Sequence, residues 1–271
     1  MTFKTLLVHA EPEWGSAQAL DAAIHLSGLL GAHILGVAAE AFEPPGSGYI
    51  EGDLVQVLRD QISEDIATAS ARFAKATANL PAGATFVSGM DRPSDLMAQH
   101  ARGADLIVAR RTPAGSSPTN LCSPADLVME TGLPVLLVPH APAPLTPDRV
   151  LVAWKDHREC RRALADAMPF LARAKRVVLL SICAADDASD GRAALWEVKE
   201  RLGRLGVQAE IEVQAGKTGS ALRAIEAYAN HMAADLIVAG AFSHSAIGEW
   251  LFGGVTQDLL IDCDRHVLLS R

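Results

Sequence analysis

The chain has 271 residues, of which 49% are hydrophobic and 21% charged. This is the composition of a folded globular protein and excludes a long disordered chain. The net charge of −8 disfavours a nucleic-acid partner, because phosphate contacts need clustered lysines and arginines. No apolar run approaches the ~20 residues of a membrane span, and the first apolar run is too short for a signal peptide. We therefore expect a cytoplasmic protein of one or two domains, with no nucleic-acid or membrane partner.

In the first half of the chain, short apolar runs rich in β-branched residues alternate with helical patterns. The spacing of Leu54, Leu58, Ile62 and Ile66 indicates a long amphipathic helix between the second and third strands. The other predicted elements are strand 5–10, helix 16–30, strand 33–38, strand 84–88, helix 93–101, strand 105–109, helix 123–131 and strand 134–138.

The second half shows the same alternation. Its predicted elements are strand 149–154, helix 158–173, strand 176–182, helix 191–205, strand 208–213, helix 219–231, strand 235–239, helix 253–262 and strand 266–270. Apolar strands joined by helices predict a mainly parallel sheet that is covered on both faces. Ligands of such sheets lie beyond the carboxyl ends of the strands, at a topological switch point.

The two halves are copies of one another. The six residues 104–109 recur identically as 234–239, and three further blocks match in the same order. Residues 134–139 correspond to residues 266–271 in this alignment. The proline-rich segment 141–147 reads as a stiff linker between the copies. We predict two tandem α/β domains, 1–142 and 146–271, that pack as an intramolecular pseudo-dimer.

The segment after the repeated strand of the second copy carries the functional signal. Gly240 ends that strand, where the absence of a Cβ would allow a ligand to approach the backbone. Gly253 and Gly254 precede a predicted helix, whose N–H groups and dipole favour an anion. Ser243, His244 and Ser245 add side-chain donors between the two glycine positions, and the segment is therefore predicted to hold a phosphate.

This segment resembles the universal stress protein family. The family signature for ATP is G-x-x-G, nine residues, then G-S or G-T, and Gly240, Ser243 and Gly253 fall at that spacing. The resemblance covers each copy in turn. It implies two tandem Rossmann-like domains of the adenine nucleotide α-hydrolase type, each a mainly parallel five-stranded sheet with helices on both faces.

The match to the signature is imperfect. Ser243 stands where the second glycine belongs, and Gly254 stands in place of serine or threonine. The family often has an aspartate after its first strand, whereas this chain has Lys155 there and Asp156 one position later. A lysine can reach a phosphate as a mobile point charge, but it cannot accept hydrogen bonds as the aspartate does.

The resemblance implies a stress-associated regulatory protein that binds ATP, with or without Mg²⁺, or a related adenine nucleotide in its second domain. The implied nucleotide-binding residues are Ala153, Trp154, Lys155, Ser181, Ile182, Gly240, Ser243, His244, Ser245, Gly253, Gly254 and Val255. No catalytic residue is implied, and any ATP hydrolysis should be slow. The alternative is a nucleotide-free tandem module that binds a protein partner or a small apolar ligand. Association of two chains into a homodimer stays open.

The first copy lacks these features. Arg110 and Arg111 stand where the second copy has Gly240 and Ala241. The segment that follows is two residues shorter and rich in proline, so we expect no ATP site in this copy. An external contact between the two adjacent arginines and an anion is the one binding role left open for this position.

Cysteine and histidine spacing gives little sign of a metal site. The four cysteines form no C-x-x-C pair and are expected to be free thiols, mostly buried. His157 with Cys160, and Cys263 with His266, are three residues apart, but neither pair supplies a set of four ligands. We therefore predict no metal centre.

Overall fold

The structure, a computed structural model, describes residues 2–10, 17–42, 52–111, 122–141, 144–216, 221–241 and 263–271. Helices and strands alternate through both halves of the chain, as the hydrophobic patterns predict. In the first half they are β1 Thr5–His9, α1 Ala17–Leu30, β2 His33–Ala39, α2 Gly52–Thr77, β3 Ala84–Gly89, α3 Pro93–His100, β4 Leu106–Arg110, α4 Pro124–Thr131 and β5 Val135–Val138.

The described part of the second half repeats this order with one difference. Its elements are β6 Arg149–Trp154, α5 Arg158–Asp166, α6 Met168–Leu171, β7 Arg176–Cys183, α7 Ala188–Arg204, β8 Ala209–Ala215, α8 Ala221–His231, β9 Leu236–Gly240 and β10 His266–Ser270. The single helix predicted over 158–173 is broken into α5 and α6, because Pro169 has no N–H to continue the helical hydrogen bonds. The helix predicted over 253–262 lies outside the described residues.

All ten strands form one continuous sheet in the order β3-β2-β1-β4-β5-β10-β9-β6-β7-β8. Neighbouring strands are parallel within each half, which confirms the predicted fold class. Among the strands that the structure describes, only the pair β5 and β10 runs antiparallel, and it joins the two five-stranded halves edge to edge. The two halves therefore share one ten-stranded sheet.

The sheet separates two layers of core. Helices α1, α2, α5 and α7 cover one face, which is called the α5 face below. Helices α3, α4 and α8 cover the other, called the α8 face. Alternate residues of the central strands are fully buried on opposite faces, as with Leu151 and Val152 of β6. This two-sided burial explains why the strands read as continuous apolar runs.

The exact repeat of residues 104–109 and 234–239 has a structural reason at its aspartate. Asp105 accepts hydrogen bonds from the backbone N–H groups of Lys4 and Thr5, at 2.7 and 2.9 Å. Asp235 accepts from the backbone N–H of Arg149 at 2.8 Å. In each half the aspartate thus ties the start of the fourth strand to the start of the first.

Candidate functional site at the switch point of the second half

The topological switch point of the second half lies between β6 and β9. These two strands are neighbours, with Ala153 of β6 opposite Ala239 of β9. The chain leaves β6 through α5 on one face and returns to β9 through α8 on the other. The carboxyl ends of β6 and β9, at Trp154 and Gly240, therefore flank the place where α/β sheets bind their ligands. This pair of strand ends is called the switch point below.

The structure brings the predicted residues of three separate segments to this edge. Trp154 ends β6 and pairs with Ser181 of β7, while Gly240 ends β9 on the other side. Alternation along the strands directs Trp154, Ser181 and Gly240 toward the α5 face. Ala153 and Ile182 pack against the core of the α8 face instead. The described strand residues of the predicted set are therefore close in the sheet but divided between its two faces.

Gly240 has a packing reason of its own. A Cβ at this position would lie 2.6 Å from the backbone nitrogen of Cys160 and 2.7 Å from the carbonyl carbon of Glu159. Both are backbone atoms in the first turn of α5, which rests on β9 and cannot yield easily. The glycine that suggests a ligand approach in the sequence is thus also required for the contact between helix and strand.

Trp154 is buried, with 7% of its surface exposed, and it belongs to the core of the α5 face together with Cys160. Its indole Nε1 has no hydrogen-bond partner among the residues that the structure describes. Since a buried donor usually finds an acceptor, this N–H marks a place where a polar group of a ligand or a water would be accommodated.

The other described residues of the predicted site differ in exposure. Lys155 is exposed just beyond β6. Ser181 is buried beneath α7, and its Oγ lies 3.7 Å from where a Cβ on Gly191 would be. The remaining predicted residues lie outside the described parts of the chain; they are Ser243, His244, Ser245, Gly253, Gly254 and Val255.

Glu159 is the site residue that sequence reasoning missed. It occupies the first turn of α5 and is buried, although an acid at this helical position is ordinarily exposed. Its carboxylate accepts a hydrogen bond of 2.7 Å from Nε of Arg158. Burial acts to raise the pKa of Glu159, but hydrogen bonds from Arg158 and from its own backbone N–H outweigh that effect and hold the pKa below its ordinary value. Glu159 is therefore ionised at neutral pH.

Cys160 follows Glu159 and lies in the same place. Its thiol points at the carbonyl oxygen of Ala153, at 3.9 Å, so it sits between α5 and the end of β6. Burial raises the pKa of the thiol, and hydrogen bonds with the backbone of Lys155 and Gly240 oppose this only in part. Cys160 is a neutral packing residue at neutral pH.

The position of Arg111 corrects the expectation that the two adjacent arginines of the first copy could contact an anion from outside. The side chain is almost completely buried, with 1% exposed. One guanidinium nitrogen donates to the carbonyl of Val138 at the end of β5, and another donates to the carbonyl of Arg265 just before β10, each at 2.7 Å. The cation serves the junction between the halves, because both carbonyls lie where β5 meets β10.

The two histidine–cysteine pairs considered as metal ligands in the sequence contain Cys160 and Cys263, and both of these thiols are buried. Cys122, Cys160 and Cys263 are buried free thiols and Cys183 is half-buried, in agreement with the expected free thiols. Among the described residues, no three side chains of histidine, cysteine, aspartate or glutamate gather into a group that could hold a metal ion. No helix in those same parts of the chain is long and apolar enough to cross a membrane.

Comparison with known proteins agrees with this architecture. The sequence model of the universal stress protein family matches residues 147–271. No curated protein matches the chain in sequence. A universal stress protein from Archaeoglobus fulgidus has a similar structure over 98% of this chain and 98% of its own, with a TM-score of 0.75 and 16% identity.

A second solved structure extends the similarity. A Pseudomonas aeruginosa protein assigned to the universal stress proteins covers 99% of this chain and 93% of its own, with a TM-score of 0.67 and 17% identity. At such identities the likeness establishes the fold, and its coverage includes both halves of the chain. The match of the family model itself is confined to the second half.

Proposed function

From the match of residues 147–271 to the universal stress protein family, we propose that the second half of the chain binds ATP or a related adenine nucleotide. The observation that carries the proposal is the meeting of three segments at the switch point. The family resemblance implies Trp154, Ser181 and Gly240 as binding residues; Trp154 and Gly240 end the adjacent strands β6 and β9, and Ser181 lies opposite Trp154 near the end of β7. Parallel α/β sheets bind nucleotides at such an edge.

The residues at the switch point fit a nucleotide in part. The buried N–H of Trp154 can donate to a ring nitrogen or a hydroxyl oxygen, and the ammonium group of Lys155 can reach a phosphate from the rim. Gly240 offers less room than its sequence motif suggests, because α5 already fills the space above it. We therefore propose that phosphates are held mainly by the segment after Gly240 and by Lys155.

The role that follows is regulatory binding. We propose that the nucleotide reports on the stress state of the cell and that the protein acts in the cytoplasm, where free thiols such as its four persist. Mg²⁺ would enter with the phosphates as a bound counter-ion. Hydrolysis should be slow, because fast phosphoryl transfer needs a positioned base and a cation at the transferred phosphate.

The first test is retention of nucleotide. Protein purified without added ligand is denatured, and the supernatant is analysed by liquid chromatography and mass spectrometry for adenine nucleotides. Wild-type protein is also titrated with ATP and Mg²⁺ while its thermal unfolding is followed, since a ligand that binds only the folded state raises the midpoint. Release of no nucleotide together with no thermal shift would refute the proposal.

A variant locates the ligand. Gly253→Val should abolish nucleotide retention with the fold intact, because a branched side chain would obstruct the approach of phosphates to the backbone. The control is Gly103→Ala, at a position in the first half with no atom near enough to meet a new Cβ. Equal retention by Gly253→Val and wild type would mean that the ligand binds elsewhere.

A nucleotide-free interaction module is the second candidate, and exposed apolar side chains on one helix favour it. Trp196 of α7 is 55% exposed, and Leu205 just after the same helix is 52% exposed. Lys199 lies over the Trp196 ring, with Nζ 5.1 Å from the ring centroid. A failed nucleotide test would favour this function if a protein partner also quenches the tryptophan fluorescence of wild type with increasing concentration and has less effect on Trp196→Phe.

A further inference from the structure

Glu159 places a buried negative charge at the proposed nucleotide site. A Cβ built on Gly240 would lie 2.9 Å from Cβ of Glu159, so the acidic side chain leaves α5 directly beside the end of β9. Only 4% of that side chain is exposed. The carboxylate is thus part of the interior at the switch point and does not lie on the protein surface.

The partner of this carboxylate compensates its charge only in part. Arg158 lies 2.7 Å away, but its side chain is 62% exposed and its charge is largely screened by water. The next ion pair along the helix, Asp156 with Arg161, is exposed at 58% on both sides. Lys155 is exposed as well. The exposed rim therefore carries Lys155, Arg158 and the Asp156–Arg161 pair in high dielectric, whereas the Glu159 carboxylate is buried, where charges interact more strongly.

Glu159 also occupies the helix end that would otherwise attract an anion. The N-terminus of α5 has no side-chain cap from His157, and its positive dipole end points toward the switch point. The Glu159 carboxylate takes a backbone N–H bond in that first turn, so the end of α5 is already neutralised by the protein itself. A phosphate brought to this place would meet a like charge.

We propose that the buried carboxylate of Glu159 disfavours phosphate beside the end of β9. The second half then binds the uncharged, hydrogen-bond-donating part of its ligand next to Glu159. The ligand class is an adenine nucleoside or a nucleotide of low charge, whose amino or hydroxyl groups donate to the carboxylate. A triphosphate binds less well, because its phosphates are confined to the rim near Lys155. This inference rests on the proposed nucleotide-binding function.

The test compares ligands that differ only in charge. Isothermal titration calorimetry without Mg²⁺ measures the affinity of adenosine, AMP and ATP for wild type and for Glu159→Gln, which keeps the shape and removes the charge. We expect Glu159→Gln to bind ATP about tenfold more tightly than wild type and adenosine no more tightly. The control is Glu210→Gln, because Glu210 is also paired with an arginine but is exposed. It should leave all three affinities unchanged.

A second variant keeps the proposal testable if Glu159→Gln does not fold. Arg158→Gln removes the exposed counter-charge of Glu159 and should weaken ATP binding by about twofold, because that charge is largely screened by water, with adenosine little affected. Far-UV circular dichroism establishes whether each variant has the wild-type fold before its affinities are compared.

The outcomes separate the two proposals. Equal changes for adenosine and ATP in Glu159→Gln would overturn the selectivity while leaving nucleotide binding in place. Binding of ATP by Glu159→Gln alone would support the selectivity and refute nucleotide binding by the wild-type protein. If neither protein binds any of the three ligands, both proposals are refuted.

Discussion

Leu136 of β5 and Leu268 of β10 lie directly opposite one another across the antiparallel junction. They are also equivalent positions of the two sequence repeats, since residues 134–139 align with residues 266–271. A residue that pairs with its own copy lies on the axis that relates the copies. The junction therefore has the geometry of a twofold interface, and both leucines are fully buried in it.

This relationship fixes where the ligand edges of the two halves lie. Strands are parallel within each half, but the halves meet through antiparallel strands. The carboxyl ends of the strands in one half thus lie at the opposite edge of the sheet from those in the other. Arg111, at the carboxyl edge of the first half, consequently lies beside Arg265 at the amino edge of the second half.

Removing the Arg111 side chain should destabilise the protein. Arg111→Met leaves the carbonyls of Val138 and Arg265 without their charged donor in a buried place, which should cost about 2–4 kcal/mol. Urea unfolding followed by circular dichroism measures the loss. Arg201→Met is the control, because Arg201 is exposed on α7 and its loss should change the free energy of unfolding by less than about 0.5 kcal/mol. Equal stability of both variants would show that the bonds of Arg111 contribute little.

His266 should make stability depend on pH. Burial, and then the charge of Arg111, lower the pKa of this histidine from 6.5 to about 4. The imidazole of His266 therefore takes up a proton near pH 6.5 in the unfolded chain but only near pH 4 in the folded protein. The contribution to stability is complete above pH 6.5 and is lost as the pH falls toward 4, by on the order of 3 kcal/mol.

The pH effect is isolated by comparison with a variant that cannot titrate. His266→Leu has a similar volume and removes the ionisable group, whereas carboxylates such as Glu210 titrate in both proteins. The free energy of unfolding, measured in urea at half-unit steps between pH 4 and 7, should fall more steeply in wild type than in His266→Leu. Parallel profiles would contradict the low pKa of His266.

Substitution of Gly240 tests the contact between α5 and β9. Gly240→Ala would force its Cβ within 2.6 Å of a backbone atom of α5, so we expect destabilisation by about 1–3 kcal/mol even without any ligand. Gly203→Ala in α7 is the matched control, because a Cβ there meets no atom within 4 Å and alanine favours helix by about 0.5–1 kcal/mol. The midpoints of thermal unfolding of the two ligand-free variants, each compared with wild type, measure this difference. If Gly240→Ala is as stable as wild type, the glycine is not required for this packing contact, and only the role in ligand approach is left for it.

The fold could be predicted from the sequence because hydrophobic period and repetition are local signals. The sequence predicts the strands of both copies to within two residues at either end. The hydrophobic pattern does not predict the break between α5 and α6, because it continues through Pro169, although a proline at this position indicates such a break.

The chemistry of individual residues was harder to predict, because it depends on which element lies over which. Adjacent arginines look like an anion site until the junction places two carbonyls within reach of Arg111. In the sequence, Glu159 resembles an exposed acidic residue at the start of a helix, and only the packing of α5 against Gly240 shows that it is buried. The signal that could have found Glu159 is its place in the helix that follows the first strand of the copy, which passes over the switch point in any α/β unit of this kind.

The predicted domain boundaries can be tested through the junction itself. An isolated second domain, residues 146–271, would have β10 as a free edge strand whose Val267, Leu268 and Leu269 are fully buried in the whole chain. Such an edge favours pairing with another strand. Because Leu268 lies on the axis between the copies, two isolated domains can pair β10 with β10 in the geometry that β10 now has with β5.

We therefore expect residues 146–271 to form a homodimer, measured by sedimentation equilibrium over a range of concentrations. Leu268→Glu places two like charges opposite one another at the axis and should leave a monomer. Circular dichroism distinguishes a folded monomer from an unfolded one. A folded, monomeric wild-type domain would show that β10 does not need a partner strand, and the junction would then hold two independent domains that merely touch. An unfolded one would instead show that residues 146–271 need the first half of the chain to fold, so that they are not an independent domain.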